Sequence, residues 1–476
     1  MLFNSIEFAV FLPIVFAIYW LIGSHKIRLQ NTWLLVSSYF FYGWWDWRFL
    51  TLIAFSTAVD FTVGLQLEKT NKTKTRKRLL LISLLSNLGL LGFFKYYNFF
   101  VDNFVEAFTI FGQNFQPIHL HIVLPVGISF YTFQTLSYTI DVYRKKIKPT
   151  QDWIAFSAFV SFFPQLVAGP IERAGNLLPQ FQRARKFDVD EAKDGLRQML
   201  WGLFKKIVIA DTSAVYVNEI FGSYQDFSSP ALWLGAFYFA FQIYGDFSGY
   251  SDIAIGTAKL FGFRLMRNFN FPYFARDIAD FWRRWHISLS TWFKDYVYIP
   301  LGGSRVPRGK ALRNVFIVFL ISGFWHGANW TFIAWGALHA LLFAPLMLLN
   351  INRKHLASSM TENRILPQWN ELWQMGTTFF QVLIAWVFFR AASVSEAWHY
   401  LHNMFIPHSG ESGTTRLKYL PLIALLIAWE WIFRKEEHGL SIRHWPMPLR
   451  WVSYFAFLWL IFYFMGAEQE FIYFQF

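Results

Sequence analysis

The sequence predicts an all-α protein that crosses a membrane several times. Hydrophobic residues make up 55% of its 476 residues and charged residues only 15%, against about 25% charged residues in ordinary soluble domains. Apolar runs recur from Phe8 to Phe464 without a long polar block between them. We therefore expect one membrane domain over residues 1–476.

Each sufficiently long apolar run is a candidate helix, because the hydrocarbon core of a bilayer requires roughly 20 mainly apolar residues. The candidates are residues 8–23, 31–46, 48–67, 79–101, 120–143, 152–170, 196–220, 230–262, 314–349, 372–392, 417–433 and 451–466. Proline and glycine interrupt several of them, at Pro125, Gly127, Pro164, Gly169, Pro170, Gly245 and Gly249. Interruptions are tolerated where protein covers the freed backbone groups or where these line a cavity. The pattern predicts broken or re-entrant helices around a cavity.

The first predicted helix begins close to the N-terminus. The opening MLFNSIEFAV has no basic start and carries Glu7, and no small-residue cleavage site follows it. These features differ from those of a secretory signal peptide. We expect this segment to remain as a membrane helix.

Basic residues predict the orientation. The formal net charge is +13, and Lys and Arg stand mainly in short breaks between apolar runs, which is typical of cytoplasmic loops rather than of a nucleic-acid surface. The two densest groups are separated by two predicted crossings and consist of Lys69, Lys72, Lys74, Arg76, Lys77 and Arg78, and of Arg144, Lys145, Lys146 and Lys148. We expect both groups in the cytoplasm and the N-terminus on the other side.

The residue types present exclude several kinds of catalytic and metal site. Cysteine is absent, so disulfides, thiolate metal sites and a thiol nucleophile are excluded. No HExxH motif or His/Asp cluster at ligand spacing is present, and we predict no metal site. Ser248, in GDFSG, lacks the flanking pattern of a nucleophile elbow.

His326 is the first candidate for catalysis. It lies in the apolar run that follows the polar stretch 263–313, and an ionisable group at membrane depth usually faces a protein interior or a water-filled path. An imidazole can act there as a general base for a hydroxyl group. The alternative is a packing histidine that is satisfied by Asn329 or a backbone carbonyl.

His286 is the second candidate and lies in the polar stretch, in WRRWHIS. The alternative is an interfacial histidine among arginines whose charged ends reach water. The surrounding basic residues suit either an anionic cosubstrate or lipid headgroups; they are Arg283, Arg284, Arg305, Arg308, Lys310 and Arg313. Asp246 and Asp252 are interpreted as buried partners for arginine or as the lining of a polar tunnel.

Two long strings carry a resemblance to a known family. FWRRWHISLSTWFKDYVYIPLGGS at 281–304 and SGFWHGANWTFIAWGALHA at 322–340 resemble the signature of the membrane-bound O-acyltransferases. LVAGPIERAGNLLPQF at 166–181 and YGDFSGYSDIAIG at 244–256 also resemble segments of that family, and the likeness extends to EFIYFQF at 470–476. It is strongest to the bacterial branch that includes alginate O-acetylases.

The resemblance implies a ring of tilted and re-entrant helices around a central tunnel. It also implies that His326 is the catalytic base and that His286 is a catalytic or donor-positioning residue. Arg283 and Arg284 would bind the donor, and Trp325 and Asn329 are candidate donors of hydrogen bonds to the oxyanion. No bound cofactor is expected.

The resemblance further implies substrates, partners and location. The donor would be cytoplasmic acetyl-CoA, and the acceptor an extracytoplasmic polysaccharide or cell-wall glycan, reached through a periplasmic transferase or esterase-like partner. The expected location is a bacterial inner membrane, with lipid around the helices. Two classes of acyl donor fit the resemblance, a CoA thioester and a carrier-protein thioester of the D-alanyl type. A transporter or flippase, which also suits broken helices, and a non-catalytic scaffold are the alternative functions.

Overall fold

A computed structural model describes residues 1–110, 112, 116–355, 364–466, 469 and 471–472. The predicted all-α fold is confirmed, since helices are the only extended regular elements among these residues. One isolated parallel bridge pairs Phe227 with Glu411.

Twenty α-helices follow one another along the described chain. They are α1 Ile6–Leu21, α2 Ile27–Asp46, α3 Leu50–Lys69, α4 Thr73–Leu91, α5 Tyr97–Ile110, α6 Ile128–Tyr143, α7 Trp153–Ser161, α8 Phe163–Leu166, α9 Ala174–Phe181, α10 Val189–Leu203, α11 Thr212–Gly222, α12 Ser229–Leu260, α13 Ile278–Arg284, α14 Ile287–Phe293, α15 Arg308–His326, α16 Trp330–Leu348, α17 Trp369–Arg390, α18 Val394–Phe405, α19 Leu420–Ile432 and α20 Met447–Phe464. Three π-helical stretches join neighbouring helices, at Gly92–Tyr96, Phe204–Asp211 and Lys294–Tyr298.

The helices form two compact units. The first comprises Met1–Leu196 with Ala254–Met266, and the second comprises Arg197–Ile253 with Arg267–Phe476. Two of the three boundaries fall within α10 and α12, and the third lies between Met266 and Arg267. A single membrane domain over the whole chain stays a prediction.

Five helical stretches of the described chain are long and apolar enough to cross a membrane. They are Ile27–Lys69, Thr73–Ile110, Trp330–Leu348, Trp369–Arg390 and Met447–Phe464. Together with the apolar α1, they agree with a multi-pass membrane protein. The orientation of these stretches stays a prediction.

Three predicted helices have different limits in the structure. The segment 120–143 becomes helical only at Ile128. Gly127, directly before it, has a left-handed φ of +75°, which is incompatible with a right-handed helix at that residue. The segment 152–170 is divided at Phe162 into two short helices, and 314–349 is divided at residues 327–329.

Gly245 and Gly249 do not interrupt their helix, contrary to our expectation. α12 is continuous through both positions. A Cβ atom at Gly249 would lie 2.7 Å from the carbonyl oxygen of Gly202, and one at Gly245 would lie 2.9 Å from that of Lys205. Small residues four positions apart let two helical backbones touch, so these glycines serve packing within the second unit.

In the first unit, Asp60 of α3 is held without a basic partner among the described residues. Its carboxylate accepts hydrogen bonds from Ser83 at 2.5 Å, Asn87 at 2.8 Å and Thr139 at 2.9 Å. The residue is fully buried, and a buried charge needs such bonds to remain tolerable. The network joins α3, α4 and α6.

In the second unit, α15 and α16 pack unusually closely. A Cβ atom at Gly323 of α15 would overlap the carbonyl oxygen of Phe332, and one at Gly336 of α16 would overlap that of Phe319. The backbones can approach only because these side chains are missing. The hairpin fixes the position of His326, the last residue of α15.

Gly323→Ala tests this contact. We expect the variant to lose about 1–3 kcal/mol of stability, because an added methyl group has no room against the Phe332 carbonyl. A lower melting temperature in detergent would show the loss. Gly376→Ala in α17 is the matched control, since nothing lies within 4 Å of its Cβ position; an equal loss in both variants would contradict the packing argument.

Candidate active site

His286 is fully buried at the break between α13 and α14. Its backbone has a φ of +44°, a conformation that is uncommon for a residue with a side chain. The imidazole lies edge to face against Phe247, with 4.6 Å between ring centroids. A strained residue at a helix break, held by its surroundings, is often found at a functional site.

Asn268 determines which ring nitrogen of His286 carries the proton. Its Oδ1 accepts the Ser288 backbone N–H at 3.3 Å and the Ser288 hydroxyl at 2.9 Å, and its Nδ2 donates to Ser251 at 3.1 Å. These bonds fix the orientation of the amide. Since His286 Nδ1 lies 3.0 Å from the same Oδ1, Nδ1 is the donor and Nε2 carries the lone pair.

His326 ends α15 and is 3% exposed. Its ring is surrounded by those of Trp325 at 5.0 Å, Trp335 at 5.1 Å and Phe389 at 5.3 Å between centroids. The C-terminal end of a helix carries partial negative charge and stabilises a cation. The position therefore favours an imidazole that accepts a proton.

The structure brings the two predicted histidines together. Their ring centroids are 6.5 Å apart, although 40 positions separate them in the sequence. Trp325 lies beside both rings, 6.2 Å from that of His286. Both imidazoles lie within one buried aromatic shell, and each can be neutral. Such rings suit proton transfer in a site without bulk water.

Asn329 has partners in the loop between α15 and α16. Its Oδ1 accepts the Thr331 backbone N–H at 3.0 Å and caps α16, and its Nδ2 donates to the Ala392 carbonyl at 2.8 Å. These contacts stabilise the loop after His326. A role in binding the oxyanion stays a prediction for both Asn329 and Trp325.

Arg283 and Arg284 differ in their surroundings. Arg284 pairs with Asp280 at 2.9 Å and is 11% exposed, whereas Arg283 lies 3.7 Å from the same carboxylate and is 30% exposed. Arg283 also donates to the Asn352 carbonyl at 3.0 Å. Arg284 thus supports α13, whereas the Arg283 side chain stays partly exposed. Their role in binding a donor stays a prediction.

Asp246 and Asp252 pair with lysine rather than with arginine. Lys205 lies 2.5 Å from Asp252, and Lys206 lies 2.8 Å from Asp246. Ser248 accepts a hydrogen bond from Lys205 at 2.8 Å. The expectation of arginine partners is wrong because the close contact between α12 and the π-helical stretch Phe204–Asp211 brings these two lysines against α12. The remaining basic candidates are exposed; they are Arg305, Arg308, Lys310 and Arg313.

Three residues of this region were not predicted, namely Asn268, Trp335 and His339. Asn268 acts through a long-range contact that no local pattern indicates. Trp335 and His339 stand in the string at 322–340, four positions apart on α16. Their helical spacing after His326 is the signal that could have identified them.

A comparison with known families identifies the family of this chain. The family described as MBOAT, membrane-bound O-acyltransferase family, matches residues 45–375, which include both histidines. The chain belongs to the membrane-bound O-acyltransferase family. The resemblance noted in the sequence is thereby confirmed, as is the enzyme class, an acyltransferase.

Three relatives illustrate the range of the family. A probable alginate O-acetylase from Pseudomonas aeruginosa is 44% identical over 409 residues, which is 85% of this chain and 75% of the relative. A peptidoglycan O-acetyltransferase from Helicobacter pylori is 36% identical, covering 85% of this chain and 80% of the relative. A teichoic acid D-alanyltransferase from Streptococcus thermophilus is 30% identical, covering 45% and 55%.

Acid should destabilise the site through His286. Residue 286 lies outside the five apolar stretches, and burial lowers its pKa from 6.5 to about 3. Below the ordinary histidine pKa, residue 286 binds a proton in the unfolded chain but not in the folded protein. The free energy of unfolding therefore falls as the pH falls. At pH 5 this removes roughly 2 kcal/mol.

His286→Gln removes the titrating group. We expect its melting temperature to fall less than that of the wild type between pH 7.5 and pH 5, when both are measured in the same detergent. An identical fall in the two proteins would show that His286 is not the group responsible.

Proposed function

We propose that this membrane-bound O-acyltransferase moves an acetyl group from a cytoplasmic thioester, such as acetyl-CoA, to a hydroxyl group of an extracytoplasmic polysaccharide or cell-wall glycan. The observation that carries the proposal is the pair of buried histidines, 6.5 Å apart between ring centroids. One ends a helix, and the other is oriented by Asn268. Such an arrangement suits a base that must work away from bulk water.

In the proposed reaction, His326 is the general base. Its imidazole accepts the proton of the acceptor hydroxyl while the hydroxyl oxygen attacks the thioester carbonyl carbon. A carbon–oxygen bond forms and the carbon–sulfur bond breaks, and the proton then passes to the departing sulfur. The products are an ester and a free thiol. The helix terminus stabilises the transient imidazolium.

His286 is proposed as the residue that positions the donor. Its Nδ1 donates to Asn268, so Nε2 carries the lone pair and has the chemistry of a hydrogen-bond acceptor. Arg283 is the proposed contact for the phosphates of the donor, because its side chain is partly exposed whereas that of Arg284 is nearly buried. Guanidinium groups bind phosphate through strong, charge-assisted hydrogen bonds.

The names of the relatives support a class of acceptor. Relatives that are 44% and 36% identical are named for alginate and for peptidoglycan, and both are polymers of the bacterial envelope. We propose a glycan of this class, reached through a periplasmic partner protein, and a location in the inner membrane with the N-terminus outside.

A second donor class is supported by the more distant relatives. A teichoic acid D-alanyltransferase is 30% identical over 236 residues. A thioester on a carrier protein is therefore the alternative donor, with the same reaction at the thioester carbonyl.

His326→Ala tests the assignment of the base. We expect acetyl transfer to the glycan to fall by at least about 100-fold, the usual contribution of general acid–base catalysis, while the protein keeps its melting temperature. Transfer can be followed with a labelled acetyl donor in membranes. His399→Ala, which removes an exposed histidine of α18, is the control. Undiminished transfer by His326→Ala would overturn the assignment.

Arg283→Ala tests the donor contact. Loss of a charge-assisted hydrogen bond of about 1.5–3 kcal/mol should raise the KM for acetyl-CoA by roughly 10- to 100-fold. S-acetylpantetheine lacks the nucleotide phosphates, so its KM should not change. An equal rise in KM for both donors would remove the phosphate role of Arg283.

A further inference from the structure

One face of α16 carries polar atoms that are buried without partners. Thr331, Trp335 and His339 are at most 1% exposed and stand four positions apart, so their side chains follow one face of the helix. Within the described chain, the Thr331 hydroxyl, the Trp335 Nε1 and the His339 Nε2 have no hydrogen-bond partner.

Three such atoms in one row require an explanation. More than about nine in ten buried polar groups in proteins have a partner, and each unsatisfied group costs roughly 1–3 kcal/mol. Their spacing of four residues places all three on one face of α16. A row of this kind therefore indicates a ligand, or water that a ligand replaces, along α16.

The nitrogens of Trp335 and His339 that lack partners are both hydrogen-bond donors. The Trp282 indole donates to His339 Nδ1 at 3.3 Å, so the proton of this imidazole is on Nε2 and that nitrogen is a donor. The Trp335 indole N–H is a donor only. The ligand must offer acceptor oxygens to Trp335 and His339.

The row passes beside the proposed catalytic base at Trp335. The Trp335 ring lies 5.1 Å from that of His326, nearly perpendicular to it, and 4.9 Å from that of His339. Moving from Trp335 to His339 along α16 corresponds to about 6 Å, at 1.5 Å per residue. A ligand that follows the row presents its reacting end at Trp335 and the next acceptor near His339.

We propose that Trp335 and His339 bind successive carbonyl oxygens of a pantetheine-type thioester arm. Trp335 donates to the thioester carbonyl, and His339 donates to the nearest amide carbonyl. In such an arm these carbonyl carbons are about five bonds apart, or at most roughly 6 Å, which is close to the spacing on α16. Rotation about the bonds between the sulfur and the nitrogen turns both oxygens toward the same face of the helix, since in a fully extended arm they would point to opposite sides. Thr331 lies on the opposite side of Trp335, where its hydroxyl can meet the acceptor.

The inference rests on the proposed function and adds a donor subsite to it. Trp335 is assigned as a catalytic residue, because a donor to the thioester carbonyl also stabilises the negative charge that develops on that oxygen. His339 is assigned to donor binding. The two residues should therefore affect different kinetic constants.

Matched thioesters test His339. S-acetyl-N-acetylcysteamine carries the thioester and the first amide carbonyl, whereas S-propyl thioacetate carries the thioester alone. His339→Phe should raise the KM for the first donor by roughly 2- to 12-fold, the value of one hydrogen bond, and leave the KM for the second unchanged. His339→Gln, which can accept from Trp282 and still donate, should restore part of the loss.

Trp335→Phe keeps a ring beside His326 but removes the N–H group. We expect kcat to fall by roughly 100-fold with both thioesters, as for other oxyanion donors, with a smaller change in KM. Trp201→Phe replaces another buried tryptophan of the same unit, which packs on Phe204 and Phe457, and serves as the control. Thr331→Val preserves shape and keeps the test informative if a ring variant does not fold.

Two complete acyl donors test which molecule carries the thioester arm. Acetyl-CoA and an acetylated phosphopantetheinyl carrier protein present the same arm, so the effect of His339→Phe must appear with whichever donor the wild type uses. An equal KM change with both short thioesters, or a Trp335→Phe variant no slower than Trp201→Phe, would overturn the inference. If wild-type protein transfers acetyl from none of these donors, the proposed function fails instead.

Discussion

The close contact between α15 and α16 is the constraint on which the site depends. Gly323 and Gly336 let the two backbones touch, and the short loop between the helices leaves His326 at a helix terminus, directly before the start of α16. With larger residues the helices would separate, and the aromatic shell around His326 would open. A membrane provides little hydrophobic drive between helices, so such close packing is a main source of their association.

Polar groups inside the second unit fall into three kinds. Lys205 and Lys206 are matched by carboxylates, and these pairs join α12 to the π-helical stretch. His286 is matched by the neutral amide of Asn268, which orients the imidazole without adding charge. On α16, the Thr331 hydroxyl, the Trp335 Nε1 and the His339 Nε2 have no partner in the described chain, although Trp282 donates to the other ring nitrogen of His339. The first two kinds stabilise the fold, and the third suits a substrate.

This division connects the fold to the chemistry. A base that works beside a thioester needs low polarity around it, a fixed ring and donors aimed at the reacting oxygen. The aromatic shell buries His326, Asn268 fixes the neighbouring imidazole, and α16 carries the proposed donors.

The sequence alone determined that the protein is helical and resides in a membrane, since composition and the length of apolar runs decide both. It also identified His286 and His326 and their family, because those strings are long and local. It placed Gly245 and Gly249 wrongly as helix breaks, and the first of its two interpretations of Asp246 and Asp252 named arginine partners where the structure has lysines. Only tertiary structure decided those points, because a glycine that permits helix contact and one that ends a helix look alike until the neighbouring backbone is known. The Asn268 contact and the row at Thr331, Trp335 and His339 were likewise decided by packing, since hydrogen bonding and burial depend on residues far away in the chain.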